Sequence, residues 1–142
     1  MSGQDAYGIE PNDGKPGAGG AAGGAGGSDR FETHAVDSVH VVRITQSDVL
    51  DAFEIEQLKG ELETFVTGLP DPRVVLDLGN VAHLSSSALG MLVAMKSSTE
   101  GRSGALALAN VRPELLEIFK LTRLDKVLAI HDGVDPAVAS LT

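Results

Sequence analysis

An α/β domain with an N-terminal β-hairpin, followed by alternating helices and strands on a mixed, mainly parallel sheet of four to five strands, is the fold class this sequence predicts. Three observations carry that prediction. Two blocks of apolar and β-branched residues, Phe31 to Val36 and Val39 to Ile44, flank Asp37-Ser38, as in a hairpin. After them, short apolar runs alternate with longer segments whose apolar residues recur every three or four positions. Strands and helices that alternate in this way are joined by right-handed crossovers, which make neighbouring strands parallel.

After the hairpin, Asp48 or Asp51 is placed to cap the first helix. Ile55, Leu58, Leu62, Phe65, Val66 and Leu69 form its apolar stripe, with Glu54, Glu56, Lys59, Glu61 and Glu63 between them, and Pro70 and Pro72 end it. Val74-Val75-Leu76-Asp77-Leu78 is short, mostly apolar and bounded by breakers, as expected of a strand buried on both faces near the centre of the sheet. A second helix opens at the serines from Ser85 and runs to about Glu100. Leu89, Leu92, Val93 and Lys96 mark one of its faces, and Ala88, Met91 and Met95 mark another. That is more apolar surface than packing on one side of a sheet requires, so the second face is either a docking surface or the sign of a deeply buried helix. Gly101 and Gly104 break the chain before a strand at Ala105 to Ala109. Pro113 suits the first turn of a third helix and Glu114 its positive end, with Leu115, Leu116, Ile118 and Phe119 facing inward. A strand near Val127 to Ile130 and a terminal helix from Asp135 complete the series.

Ten of the seventeen glycines fall between Gly3 and Gly27, in runs such as GAGGAAGGAGG. Such a segment has too little apolar surface to offset its ordering entropy, so residues 1–29 are expected to be a disordered Gly/Ala-rich tail and 30–142 a single domain. With no cysteine, disulfides, thiol catalysis and cysteine metal sites are excluded. A net charge of -9 argues against a nucleic-acid partner; it either suits basic protein surfaces or serves solubility alone, and by itself charge favours the second reading. No apolar run approaches the ~20 residues of a membrane span, so a cytoplasmic protein without membrane insertion is expected.

The segment RVVLDLGNVAHLSSSALGMLVAMK, Arg73 to Lys96, is the most informative. It places three hydroxyls at a helix start, where unpaired amides and the macrodipole favour negative charge. One serine there is a cap, or a site whose phosphate the fold would tolerate. His83 and Asp77 invite comparison with the base and orienter of a serine nucleophile, but no Gly-x-Ser-x-Gly elbow occurs, and no catalytic residue is assigned. His34, His40 and His131 lack metal-ligand spacing, and no phosphate-cradling loop is present, so neither a metal nor a cofactor is implied. Asp77 closes the central strand, at the end of the sheet where function gathers in open α/β folds, and its carboxylate can also bond the following turn.

The order of elements, the strand VVLDL, the helix opening SSSALG with MLVAMK after it, and the segment LALANVRPELLEIFKLTRLDKVLAIHD resemble the STAS family, the domain of anti-sigma-factor antagonists and of the cytoplasmic ends of sulfate transporters. The resemblance covers Phe31 to Leu141. The family's Asp-Ser-Ser-Gly-Leu-Gly signature falls on Ser85, Ser86, Ser87, Ala88, Leu89 and Gly90. It implies that Ser86 is the phosphorylated serine, with Ser85 and Ser87 as alternatives, and that an anti-sigma factor with serine kinase activity is the partner. Asp48, Asp51, Ser85, Ser87, Ala88, Met91 and Met95 would then bind that partner. Three departures stand out: Ser85 replaces the usual Asp, Ala88 the usual Gly, and Arg123 a glycine common before Leu-Asp-Lys-Val. The implied function is a non-enzymatic anti-sigma-factor antagonist that regulates transcription indirectly. The alternative is an unphosphorylated scaffold or adaptor subunit in a signalling or lipid-transport complex.

Overall fold

A computed structural model describes residues 30–142; the expected tail over 1–29 lies outside the described residues. Strands β1 (Phe31–Val36) and β2 (Val39–Ile44) form the antiparallel hairpin, with Phe31 opposite Ile44 and Asp37 at φ 56 in the two-residue turn. There follow β3 (Asp48–Val49), α1 (Ala52–Thr67), β4 (Arg73–Asp77), β5 (His83–Leu84), α2 (Ser86–Glu100), β6 (Ala105–Ala109), α3 (Pro113–Leu121), a 3-10 turn (Leu124–Lys126), β7 (Ala129–His131) and α4 (Val134–Leu141). The main sheet has the order β1-β2-β4-β6-β7, and every pair after the hairpin is parallel. The mixed, mainly parallel architecture is the one the sequence predicts.

Strand β4 sits at the centre, and its alternation divides the interior in two. Val74 and Leu76 join the larger core with Leu58, Leu62, Leu92 and Phe119, beneath α1, α2 and α3. Val75 joins Val39, Val41 and Ala107 on the opposite face, where Ala137 and Val138 of α4 cover them. Helix α2 packs against both β6 and α1. It therefore needs apolar surface on two sides, and Ala88, Met91 and Met95 are as buried as Leu92. Of the two readings of this helix, the structure has the buried one. Among the described residues no helix is long and apolar enough to cross a membrane.

Element ends differ from the pattern by small amounts, each with a local cause. Helix α1 stops at Thr67 because Gly68 turns its amide back to the Phe65 carbonyl, before either proline is reached. The two-residue strands β3 and β5 pair in parallel with each other, and are too short for any periodicity to mark.

Arg123 follows α3 at φ 63 and ψ 18, the left-handed conformation that ends many helices and that glycine adopts most readily. Its physical cost explains why glycine suits this position. Arg123→Gly is expected to stabilise the domain by about 0.5–1 kcal/mol, the relief of left-handed strain less glycine's entropy. Chemical denaturation checks it: a higher midpoint at unchanged slope is the expected result.

Candidate functional site

The serine turn is built by the loop after β2 lying against the segment that leads into α2. At the end of β4, Asp77 Oδ1 accepts the Gly79 amide at 2.9 Å and Asn110 Nδ2 at 3.1 Å, fixing the turn. The Ser47 carbonyl accepts the amides of Ala82 and His83 at 2.7 and 3.1 Å, and the Val49 carbonyl accepts that of Ser85 at 3.1 Å. This ladder sets β3 beside β5 in parallel. Helices α1 and α2 begin just after the two strands, so their N-termini stand side by side.

Ser85 is the cap. Its backbone is extended (φ -84, ψ 169), its Oγ accepts the Ala88 amide at 3.2 Å, and its carbonyl accepts the Leu89 amide at 3.0 Å. A serine here does the capping work that a carboxylate also performs, so the helix end survives the absence of the usual Asp. Ser86 and Ser87 follow in the first turn, both exposed. Among the described residues neither hydroxyl is held by a hydrogen bond of the fold. The first turn of α2 has no acidic side chain. A dianion on Ser86 would thus sit near unpaired amides, at the positive end of a fifteen-residue helix, with no neighbouring carboxylate in that turn.

The two aspartates take different places. Asp51 caps α1 by accepting the Glu54 amide at 3.0 Å. Asp48 Oδ1 lies 2.8 Å from His83 Nδ1, joining β3 to β5 across the surface. With side chains 60% and 69% exposed, such a pair contributes only about 0–1 kcal/mol even when the histidine is protonated. The carboxylate that meets His83 is therefore Asp48. Asp77, which the sequence offers as an orienter, is engaged with Gly79 and Asn110 instead.

Two residues that pattern reasoning overlooked complete the surface. Leu50 is 51% exposed and Phe53 67% exposed, at the start of α1. Phe53 lies off the buried stripe of Ile55, Leu58, Leu62 and Val66, and a helical-wheel projection shows this: two residues, about 200°, separate it from Ile55. A shallow cavity of about 290 Å³, lined by Leu50, His83, Leu84, Glu114 and Ile118, continues this surface toward α3. Ala88, Met91 and Met95, expected to touch a partner, do not belong to it. They are 0%, 4% and 0% exposed, consumed by packing against α1 and the sheet.

Comparison with known proteins agrees with this architecture. The STAS domain family model matches residues 30–137. A STAS-domain containing protein of Pseudomonas aeruginosa is 36% identical over 58 residues, which span 41% of this chain and 57% of that relative's length. BtrV of Bordetella bronchiseptica, named as an anti-sigma factor antagonist, is 27% identical over 92 residues, 65% of this chain and 78% of its own length. Among solved structures, an anti-sigma-factor antagonist (STAS) domain protein from Planctomyces limnophilus superposes with a TM-score of 0.68 at 21% identity, covering 78% of this chain and 97% of that one. With the family model matched across nearly all the described residues, the chain belongs to the STAS domain family.

Proposed function

We propose that this STAS domain is an anti-sigma-factor antagonist acting in the cytoplasm: it docks an anti-sigma factor on the paired N-termini of α1 and α2, and phosphorylation of Ser86 by that partner releases the complex. One observation carries the reading. Ser85 takes the capping task, which leaves the neighbouring Ser86 hydroxyl exposed and unused by the fold. The name of the Bordetella relative supports the class of partner. In the transfer, Ser86 Oγ attacks the γ-phosphorus of ATP bound to the kinase, ADP leaves, and the hydroxyl proton passes to a base of the kinase.

The physics of release follows from the surface. Leu50 and Phe53 supply exposed apolar area for a partner to bury, and Asp48 and Asp51 favour a basic partner face. A phosphate on Ser86 adds about -1.5 to -2 charges and three strong acceptors. Within the domain the helix end tolerates this group. The interface does not, because a strongly hydrated dianion must be stripped of water to fit where a bare hydroxyl had fitted.

The test is capture of the anti-sigma factor by the immobilised full chain, before and after ATP. Binding that ATP reverses supports the switch. Stable binding with no ATP response and no modification supports the scaffold reading instead. Leu50→Ser and Phe53→Ser together are expected to weaken capture roughly 10-fold or more while leaving thermal unfolding nearly unmoved, since both side chains project from the surface. Equal capture by this variant would remove the apolar anchors from the proposed interface.

A further inference from the structure

A second surface, of opposite charge, lies where α3 gives way to the 3-10 turn. Leu121 is 81% exposed and Val127 45% exposed. Lys120, Arg123 and Lys126 are exposed between and beside them. Among the described residues none of these three cations forms a salt bridge. In a chain of net charge -9, three cations outside the salt bridges surround two apolar side chains within eight positions (120 to 127); against the single half-buried carboxylate there, Asp125, they leave a net-positive patch suited to an acidic segment with apolar residues of its own.

The chain itself carries such a segment. Asp5, Glu10 and Asp13 surround Tyr7, the chain's one tyrosine, and Ile9. Sixteen residues, Gly14 to Asp29, join it to Arg30, and eight of them are glycine. A Gly-rich coil of that length reaches about 22 Å on average, and roughly 50 Å when fully extended. Arg30 stands at the β1 edge, at the C-terminal end of the parallel strands, because Phe31 pairs with Ile44. The patch precedes β7 at the opposite edge and opposite end. Four strand spacings and one strand length separate the two, a diagonal of about 25 Å, close to the coil's average reach. Matched reach makes docking effectively intramolecular, at a local concentration on the order of millimolar. The face around Ser86 is the wrong site for this segment, since the exposed carboxylates of Asp48 and Asp51 would repel it.

We infer that the acidic segment Asp5 to Asp13 docks on the basic, apolar patch from Lys120 to Val127 of its own domain. The contact combines ion pairing to the three cations with burial of Tyr7 and Ile9 against Leu121 and Val127. It lies away from the serine turn and is independent of the switch proposed there. Being electrostatic at an exposed site, it weakens with salt.

Amide hydrogen exchange on the full chain tests it. The expected result is exchange across Leu121 to Val127 about two-fold or more slower than in a chain lacking residues 1–13, as a local concentration at or above the dissociation constant requires. The difference should vanish in a full chain carrying Lys120→Glu and Lys126→Glu, and at about 0.5 M salt. Arg123 is left unchanged in that variant because of its left-handed backbone. Equal exchange in the full and shortened chains overturns the inference. So does protection that disappears on dilution, which would mean contact between copies, and so does protection that requires added anionic vesicles or an acidic protein.

Discussion

Ser86→Glu is expected to lower affinity for the anti-sigma factor roughly 10- to 100-fold, about 1.4–2.7 kcal/mol, because it brings a charged, hydrated group into the docking surface. Its unfolding midpoint should not fall. A carboxylate in the first turn of α2 meets unpaired amides and the positive end of the helix, which is worth a few tenths of a kcal/mol to about 1 in its favour. Ser86→Ala should bind as the unaltered chain does and should no longer be released by ATP. The same pair of changes at Ser85 gives a different signature: Ser85→Ala removes the cap on the Ala88 amide and costs about 1 kcal/mol of stability. Isothermal titration against the partner, set beside thermal unfolding of each variant, separates the two serines. If Ser86→Glu and Ser86→Ala bound identically, the hydroxyl would have no part in recognition.

Among the described glycines, Gly104 is the one whose change to alanine is expected to be most damaging. A Cβ at Gly104 would stand 1.9 Å from the carbonyl oxygen of Pro72, 2.8 Å from its carbonyl carbon and 2.9 Å from its nitrogen. All three are backbone atoms, so no side chain can swing aside. The adjoining residue, Ala105, donates its amide to that same oxygen at 2.9 Å and opens the pairing of β6 with β4 at Arg73. To admit the methyl, the chain must part the two strands at the centre of the sheet. Overpacking of this kind costs about 2–4 kcal/mol, a lowering of the melting temperature by roughly 10–20 °C for a domain this size. Gly60→Ala is the matched control. It lies within α1 with nothing within 4 Å of the added Cβ, and should stabilise the domain by about 0.5–1 kcal/mol. Calorimetry of both variants decides the matter, and similar melting temperatures would show that the β4 and β6 ends yield more readily than their geometry implies.

The main architecture was legible because it rests on local periodicity. The hairpin around Asp37-Ser38, the stripe from Ile55 to Val66 and the apolar run of β4 each carry their signal within a few residues. Serine as a cap was equally legible, since capping chemistry belongs to a residue and its next three neighbours. What stayed hidden depends on residues distant in the chain. An apolar face on Ala88, Met91 and Met95 reads the same whether it meets a partner or α1, and only the packing of α1 beside α2 decides. The pairing of β3 with β5 joins residues thirty-five apart, Asp48 and His83, through strands of two residues each. That pairing gives His83 its carboxylate and sets Leu50 in the cavity that His83 and Leu84 line. Arg123 shows the reverse case, in which a departure from the family pattern marked a place where the backbone turns left-handed.

In the proposed switch, the exposed hydroxyl of Ser86, relieved of capping by Ser85, receives a phosphate from the anti-sigma factor that the domain binds. Intact-mass measurement of the full chain after incubation with that partner and ATP, followed by fragmentation to locate the modification, tests it most directly. One added phosphate is expected, on Ser86, absent from Ser86→Ala. A chain that forms the complex yet keeps its unmodified mass, or that carries the phosphate on Ser85 or Ser87, would contradict it.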